Sequence, residues 1–308
     1  MKRSKHPISL LAILSTVICL PSFGFAMAEE RIVETYPLER AGKVYLENVS
    51  GDIRVSNWDK TEIEITATKR GRRERDLDDV TIHIRQVDGN IRIITRHDRE
   101  FSLFRPGSVS VHYEIIVPAK ATVRVKSISG NVEVRKIGGF LNVETVNGEI
   151  RVRVAESNVR CKSTSGDIDL EYITGDAELE SVSGEISVQE IEGSVEAGTV
   201  SGDIEVESFS DAEELEMSST SGDIELRGEL SPGGIYRLDS FSGDTKVVIP
   251  SGSDFEFSAK TFSGSIECDF ELKMSGKFNP KEVRGTVGKG GASLTVSSFN
   301  GKIRIMNR

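Results

Sequence analysis

From Ile128 to Leu226 the chain alternates apolar and polar residues in short bursts, and the bursts recur. In the segment Val182 to Thr199, Ile186 and Val188 form one alternating run, and Val195 and Ala197 form a second. Period-two alternation of β-branched residues predicts short strands with one buried face. Apolar spacing of three and four is absent, so no helix is predicted. Between the bursts, Gly130, Gly148, Gly166, Gly184 and Gly202 stand 18 residues apart, and Gly222, Gly243 and Gly264 follow at 20, 21 and 21. Self-similarity at this period predicts a solenoid, in which each repeat packs only on its neighbours. These eight glycines are read as structural turns that supply the positive φ of a tight corner, with Gly139, Gly175 and Gly193 at the half-period.

Each coil then holds two short strands, and equivalent strands stack in parallel about 4.8 Å apart. One inward column runs Val132, Ile150, Ile168, Ile186, Ile204, Ile224 and Ile266, interrupted by Thr245. A second runs Val134, Val152, Leu170, Val188, Val206, Leu226, Val247 and Cys268. The expected fold class is therefore all-β: a parallel β-solenoid (β-helix) with two short strands per 18–21-residue coil and an N-terminal β cap. The cap is expected because the first third breaks the period while an open solenoid end would expose strand edges. Val49 to Val55 is a full copy of the coil signature. A basic run (Lys69 to Arg75), a polar loop (Arg96 to Gly107) and longer alternating strands follow it.

Residues 1–28 read as a signal peptide: Lys2, Arg3 and Lys5, an apolar run from Ile8 to Leu20, then Ala26-Met27-Ala28 before Glu29. The run is too short to span a membrane, and no later segment is long and apolar enough, so the mature chain is expected to lack a transmembrane segment. The domains expected are the signal peptide (1–28), a cap with the first coil and an irregular β insertion (29–127), and the solenoid repeats (128–308). Cleavage would move the net charge from −10 to −13. Between Ser163 and Leu226 there are 19 acidic and no basic residues, which argues against a nucleic-acid partner. Cys161 and Cys268 fall in different columns six coils apart. At roughly 29 Å they are beyond disulfide reach, and both are read as buried small hydrophobes.

Phenylalanine precedes the turn in the last coils, at Phe241, Phe262 and Phe299. Their register is read as inward, as filler for larger coils; a sugar-binding aromatic strip would require the rings to face outward. The post-glycine column holds Asp167, Glu185, Asp203 and Asp223. Turn chemistry is the favoured reading, and weak calcium binding is the alternative.

The opening Asn48 to Val55 with Trp58-Asp59, Val117-Pro118, the serial Ser-Gly-Asp-Ile turns and the closing Gly288 to Val296 resemble the bacterial DUF4097 family, called a putative adhesin family. The resemblance spans nearly all the mature chain. It implies an exported β-solenoid and supplies no catalytic residues.

Nucleophile elbow, HExxH and phosphate-loop motifs are all absent, so no cofactor is implied. His83 and His112 alternate with apolar neighbours and are expected to face solvent. The reading that follows is an exported, non-enzymatic structural or binding module of the envelope, located in the periplasm or at the cell surface. Its partner would be an envelope or surface protein or glycan. A polysaccharide-active β-helix enzyme is the alternative, and it would need an acid–base group clustered in a groove.

Overall fold

A computed structural model describes residues 16–18, 27–97, 109–210, 212–274 and 279–308. Most of the expected signal peptide and of the polar loop from Arg96 to Gly107 lies outside the described residues. Two 14-stranded sheets face one another along a common axis. Among the described residues one helix occurs, a single turn at Glu74–Leu77 that begins at the end of the basic run.

From Thr122 to Arg227 every strand pairs in parallel with its equivalent one coil away. Ile150 lies beside Val132 and Ile168, and Ile186 beside Ile168 and Ile204. Both expected inward columns are buried through Leu226. The second sheet supplies two more, exemplified by Val159, Ala177 and Val195 and by Cys161, Leu179 and Ala197. A further buried column, Ile137, Ala155, Ile173, Ile191 and Phe209, escaped the period-two reading. Its last three residues, Ile173, Ile191 and Phe209, follow a kink at Tyr172, Glu190 and Ser208, each at φ near +55°. That left-handed residue turns the strand so that the residue after it points inward again.

The turn glycines are required mainly by close approach. A Cβ on Gly202 would sit 2.1 Å from the carbonyl oxygen of Gly184, and one on Gly148 2.1 Å from that of Gly130. Positive φ accompanies this at six of the eight turn glycines. Gly184 and Gly264 lie outside the left-handed region, so for them the stacking contact alone excludes a side chain.

Chain order and stacking order part company at both ends. The first coil, Lys43–Ser50 and Ile53–Trp58, stacks directly on Thr122–Ser129 and Val132–Val134. The strand Thr122–Ser129 thus straddles residue 127/128. Residues between these coils form the lower closure. Glu62–Gly71 pairs antiparallel with Val109–Pro118 and with Ala28–Pro37, while Val80–Val87 and Asn90–His97 form a hairpin beneath Lys43–Ser50. Tyr113 fills the base of the first column, fully buried, its hydroxyl 2.7 Å from Thr95 Oγ1.

At the other end the sequence order misleads. The final coil does not lie outermost: Ala292–Asn300 runs between Ile235–Ser242 and Phe255–Thr261, and Ile303–Asn307 between Thr245–Ile249 and Ile266–Cys268. Ile303 therefore separates Thr245 from Ile266 in the first column. The final coil carries the better core set, Leu294, Val296, Ile303 and Ile305, all fully buried. The coil placed outside it leaves Ile266 and Cys268 half-exposed, which corrects the reading of Cys268 as a core residue. Both cysteines are free, and burial pushes the Cys161 thiol well above its ordinary range.

Candidate functional site

The second sheet presents two outward rows that the local sequence positions in a simple way. In Thr122–Ser129, Val123, Val125 and Ser127 point inward, so Lys126 and Ile128 point out. An inward Ser or Thr recurs in every coil from Ser127 onward, with Asn48 in that place in the first coil, and several of these hydroxyls donate to turn-glycine carbonyls. Thr145 Oγ1 bonds Gly148 O at 3.2 Å, and Ser219 Oγ bonds Gly202 O at 3.2 Å. Because this small residue takes the last inward place, the residue between it and Ser-Gly must face solvent.

That rule overturns the register assigned to the phenylalanines. Ser240, Thr261 and Ser298 are the buried residues; Phe241, Phe262 and Phe299 are 56%, 71% and 45% exposed. They are the far end of an outward apolar column that begins with Ile128, Val146, Val182 and Val200, with Thr164 and Thr220 as polar interruptions. The three rings stack: Phe299 lies between Phe241 and Phe262, with centroids 4.8 Å apart on each side and interplanar angles of 3° and 7°.

Beside this column runs a row of alternating charge: Glu47, Lys126, Glu144, Lys162 and Glu180. Lys126 bonds Glu144 at 2.6 Å and Lys162 bonds Glu180 at 2.5 Å. The Glu144 hydrogen bond holds the Lys126 ammonium above its ordinary pKa. The row then loses its charge at Gly198 and Ser218 before Asp239, Ser297 and Lys260. Between row and column lies an open groove of about 950 Å³ running from Tyr45 to Ser218. A second cleft of about 630 Å³ continues it to Phe262.

The post-glycine acids stand in one column, as expected, and the carboxylates of its aspartates are engaged with backbone. Asp167 Oδ1 accepts the Glu185 N–H at 2.9 Å, Asp203 Oδ1 the Asp223 N–H at 2.7 Å, and Asp223 Oδ1 the Asp244 N–H at 2.7 Å. Asn131 does the same for Glu149 at 3.0 Å, so charge is not what the position needs. A parallel ladder at the half-period went unread: Asn158 Oδ1 accepts from Asp176 and Asp176 Oδ1 from Ser194. Applying the post-glycine rule to Gly175 and Gly193 would have found it. Among the described residues no group of three or more His, Cys, Asp or Glu is placed to hold a metal ion. His112, expected at the surface, is half-buried, its Nδ1 accepting the Asp52 N–H at 3.2 Å.

Residues 173–306 match the family model described as Toastrack DUF4097. The Toastrack match takes in the central coils, the intercalated final coil and all three stacked phenylalanines. Of the charged row, Glu47, Lys126, Glu144 and Lys162 lie before it and Glu180 lies within it. Among solved structures, a putative adhesin from Bacteroides fragilis is 13% identical, with 90% of this chain and 97% of that one covered and a TM-score of 0.46. A putative lipid binding protein from Parabacteroides distasonis is 13% identical, covering 89% and 96%, TM-score 0.38. A putative cell adhesion protein from Clostridium sporogenes is 9% identical, covering 90% and 99%, TM-score 0.24. No curated protein matches the chain. Among the described residues no helix is long and apolar enough to cross a membrane.

Proposed function

We propose that this protein is an exported, non-enzymatic β-solenoid binding module of the bacterial cell envelope, adhesin-like in that it holds an envelope or surface component. The observation that carries the reading is the outward apolar column, which presents Ile, Val or Phe to solvent in coil after coil beside a continuous groove. Contiguous exposed apolar surface of this kind marks a place that a partner covers. The basic start, apolar run and Ala26-Met27-Ala28 support export.

The test is retention of envelope components on the immobilised protein. A protein or glycan should be retained by the parent and lost when Val146, Val182 and Val200 are all replaced by Ser. Equal retention by both would overturn the reading. N-terminal sequencing of exported material should begin at Glu29, and a membrane-bound form retaining Met1 would overturn export.

A further inference from the structure

The outward column changes character at Thr220. Along the axis the order is Val200, Thr220, Phe241, Phe299, Phe262, set by the strands that carry them. The ring spacing of 4.8 Å equals the spacing of the strands, so the ring planes stand across the solenoid axis. Phe299 has both faces covered. Phe241 has one face on Phe299 and turns the other toward Thr220, whose short side chain leaves that face open at the head of the cleft.

The polar row beside the rings differs from its continuation along the groove. Lys126 and Glu144, and Lys162 and Glu180, neutralise one another. Asp239 and Lys260 form no ion pair among the described residues, and Ser218 and Ser297 stand beside and between them with their hydroxyls outward. At its head the cleft thus offers the open face of Phe241 with unspent hydrogen-bonding groups at its rim. Toward Gly198 the row is small, leaving room for a ligand to extend along the groove.

We infer that the cleft headed by Phe241 binds a linear oligosaccharide, one pyranose ring lying over Thr220 with its C–H face on the Phe241 ring and its hydroxyls toward Ser218 and Asp239. This rests on the envelope-binding reading and names its ligand class. A pyranose combines an apolar face with a hydroxyl rim, which this surface matches on both counts. An acyl chain would satisfy the ring and leave Asp239 and Lys260 desolvated without partners, at a cost. An added peptide strand would need a free sheet edge, whereas the strands beneath the cleft are paired on both sides.

The experiment is titration calorimetry of the purified protein with β-linked tetramers of glucose, N-acetylglucosamine and mannose, and with the soluble glycan fraction of the same cells' envelope. At least one should bind the parent. Phe241→Ala should weaken it about ten-fold, equivalent to about 1.4 kcal/mol, while Phe241→Tyr keeps it. Thr220→Phe should extend the ring stack, abolish binding by covering the open face, and leave the melting temperature at or above the parent's. Glu205→Lys, an outward residue on the opposite sheet, should leave the affinity for a tetramer unchanged. Binding that survives both Phe241→Ala and Thr220→Phe would overturn the inference. So would an absence of glycan binding in a protein that still retains an envelope protein through the Val column, and in that case the binding-module reading stands. Dimerisation of the parent that is lost in Phe241→Ala, without glycan binding, would assign the rings to a second copy of the chain.

Discussion

The central coils and the carboxy-terminal coils follow the same pitch by different routes. Between residues 163 and 226 chain order and stacking order coincide, and the surface carries 19 acidic and no basic residues. From residue 227 onward there are 12 Lys and Arg against 9 Asp and Glu, and the last segment of chain is inserted between two earlier ones. In the centre, coils of 18 to 20 residues leave little slack, so each coil can only join the next. Beyond Leu226 the longer connections allow the chain to place its best apolar coil inside and its poorer one at the exposed end. A repeat therefore fixes stacking order only while its connections are too short to permit anything else.

The harshest test of the central coils is Ile204→Asp, which puts a carboxylate into a fully desolvated column and should abolish cooperative thermal unfolding. Ile204→Ala should cost about 2–5 kcal/mol, and the outward Glu205→Lys less than about 0.5 kcal/mol. Tolerance of Asp at 204 in a melting experiment would reverse inside and outside.

Truncation after Gly291 probes the other region. It removes an interior layer, so hydrogen exchange should show protection lost over Phe255–Thr261 and Ile266–Cys268 and kept over Ile186–Glu192. Protection retained at Phe255–Thr261 would mean that the coils stack in chain order after all.

Glycine substitution contrasts the two regions directly. Gly202→Ala drives a Cβ into the neighbouring carbonyl and should cost at least about 2 kcal/mol. Gly233→Ala, with φ +81° and open space around it, should cost about 1 kcal/mol. Similar losses in denaturant titrations would place backbone conformation, not stacking, in charge of the turns.

Thr245 breaks the first column where the regular coils end. Its side chain is fully buried and Oγ1 has no hydrogen-bond partner among the described residues. Thr245→Val should stabilise by about 1 kcal/mol in the same titration, because an unsatisfied hydroxyl is replaced by a methyl of like shape; a loss would reveal a partner for that hydroxyl.

The smallest effect is expected at the acidic ladder. Asp167→Asn, Asp203→Asn and Asp223→Asn together keep the Oδ1 acceptors and remove three charges stacked along the axis. The triple variant should melt at or above the parent temperature, and calcium should shift neither protein more than matched magnesium does. A calcium-specific rise in the parent alone would revive the metal reading.

Much of the fold was legible because a solenoid writes its geometry into one dimension. The 18-residue period, the alternation at Ile186 and Val188, and the turn glycines are local features, and stacking carries them unchanged into space. The kink at Tyr172, Glu190 and Ser208 was hidden because nothing in those side chains announces a left-handed residue. The candidate site was less legible. Phe241 looked like core because large aromatics usually are, and only the buried Ser240 beside it shows which residue takes the inward place.

By itself, the sequence determined the coil: two parallel strands, columns of like residues, glycine corners and an acidic middle. Each of those follows from neighbours in the chain or from one repeat facing the next. Tertiary structure alone decided that the final coil lies beneath its predecessor and that the phenylalanines stack on the outside. Those outcomes depend on which apolar set gains most from being covered on both sides, a competition between segments that no single repeat records.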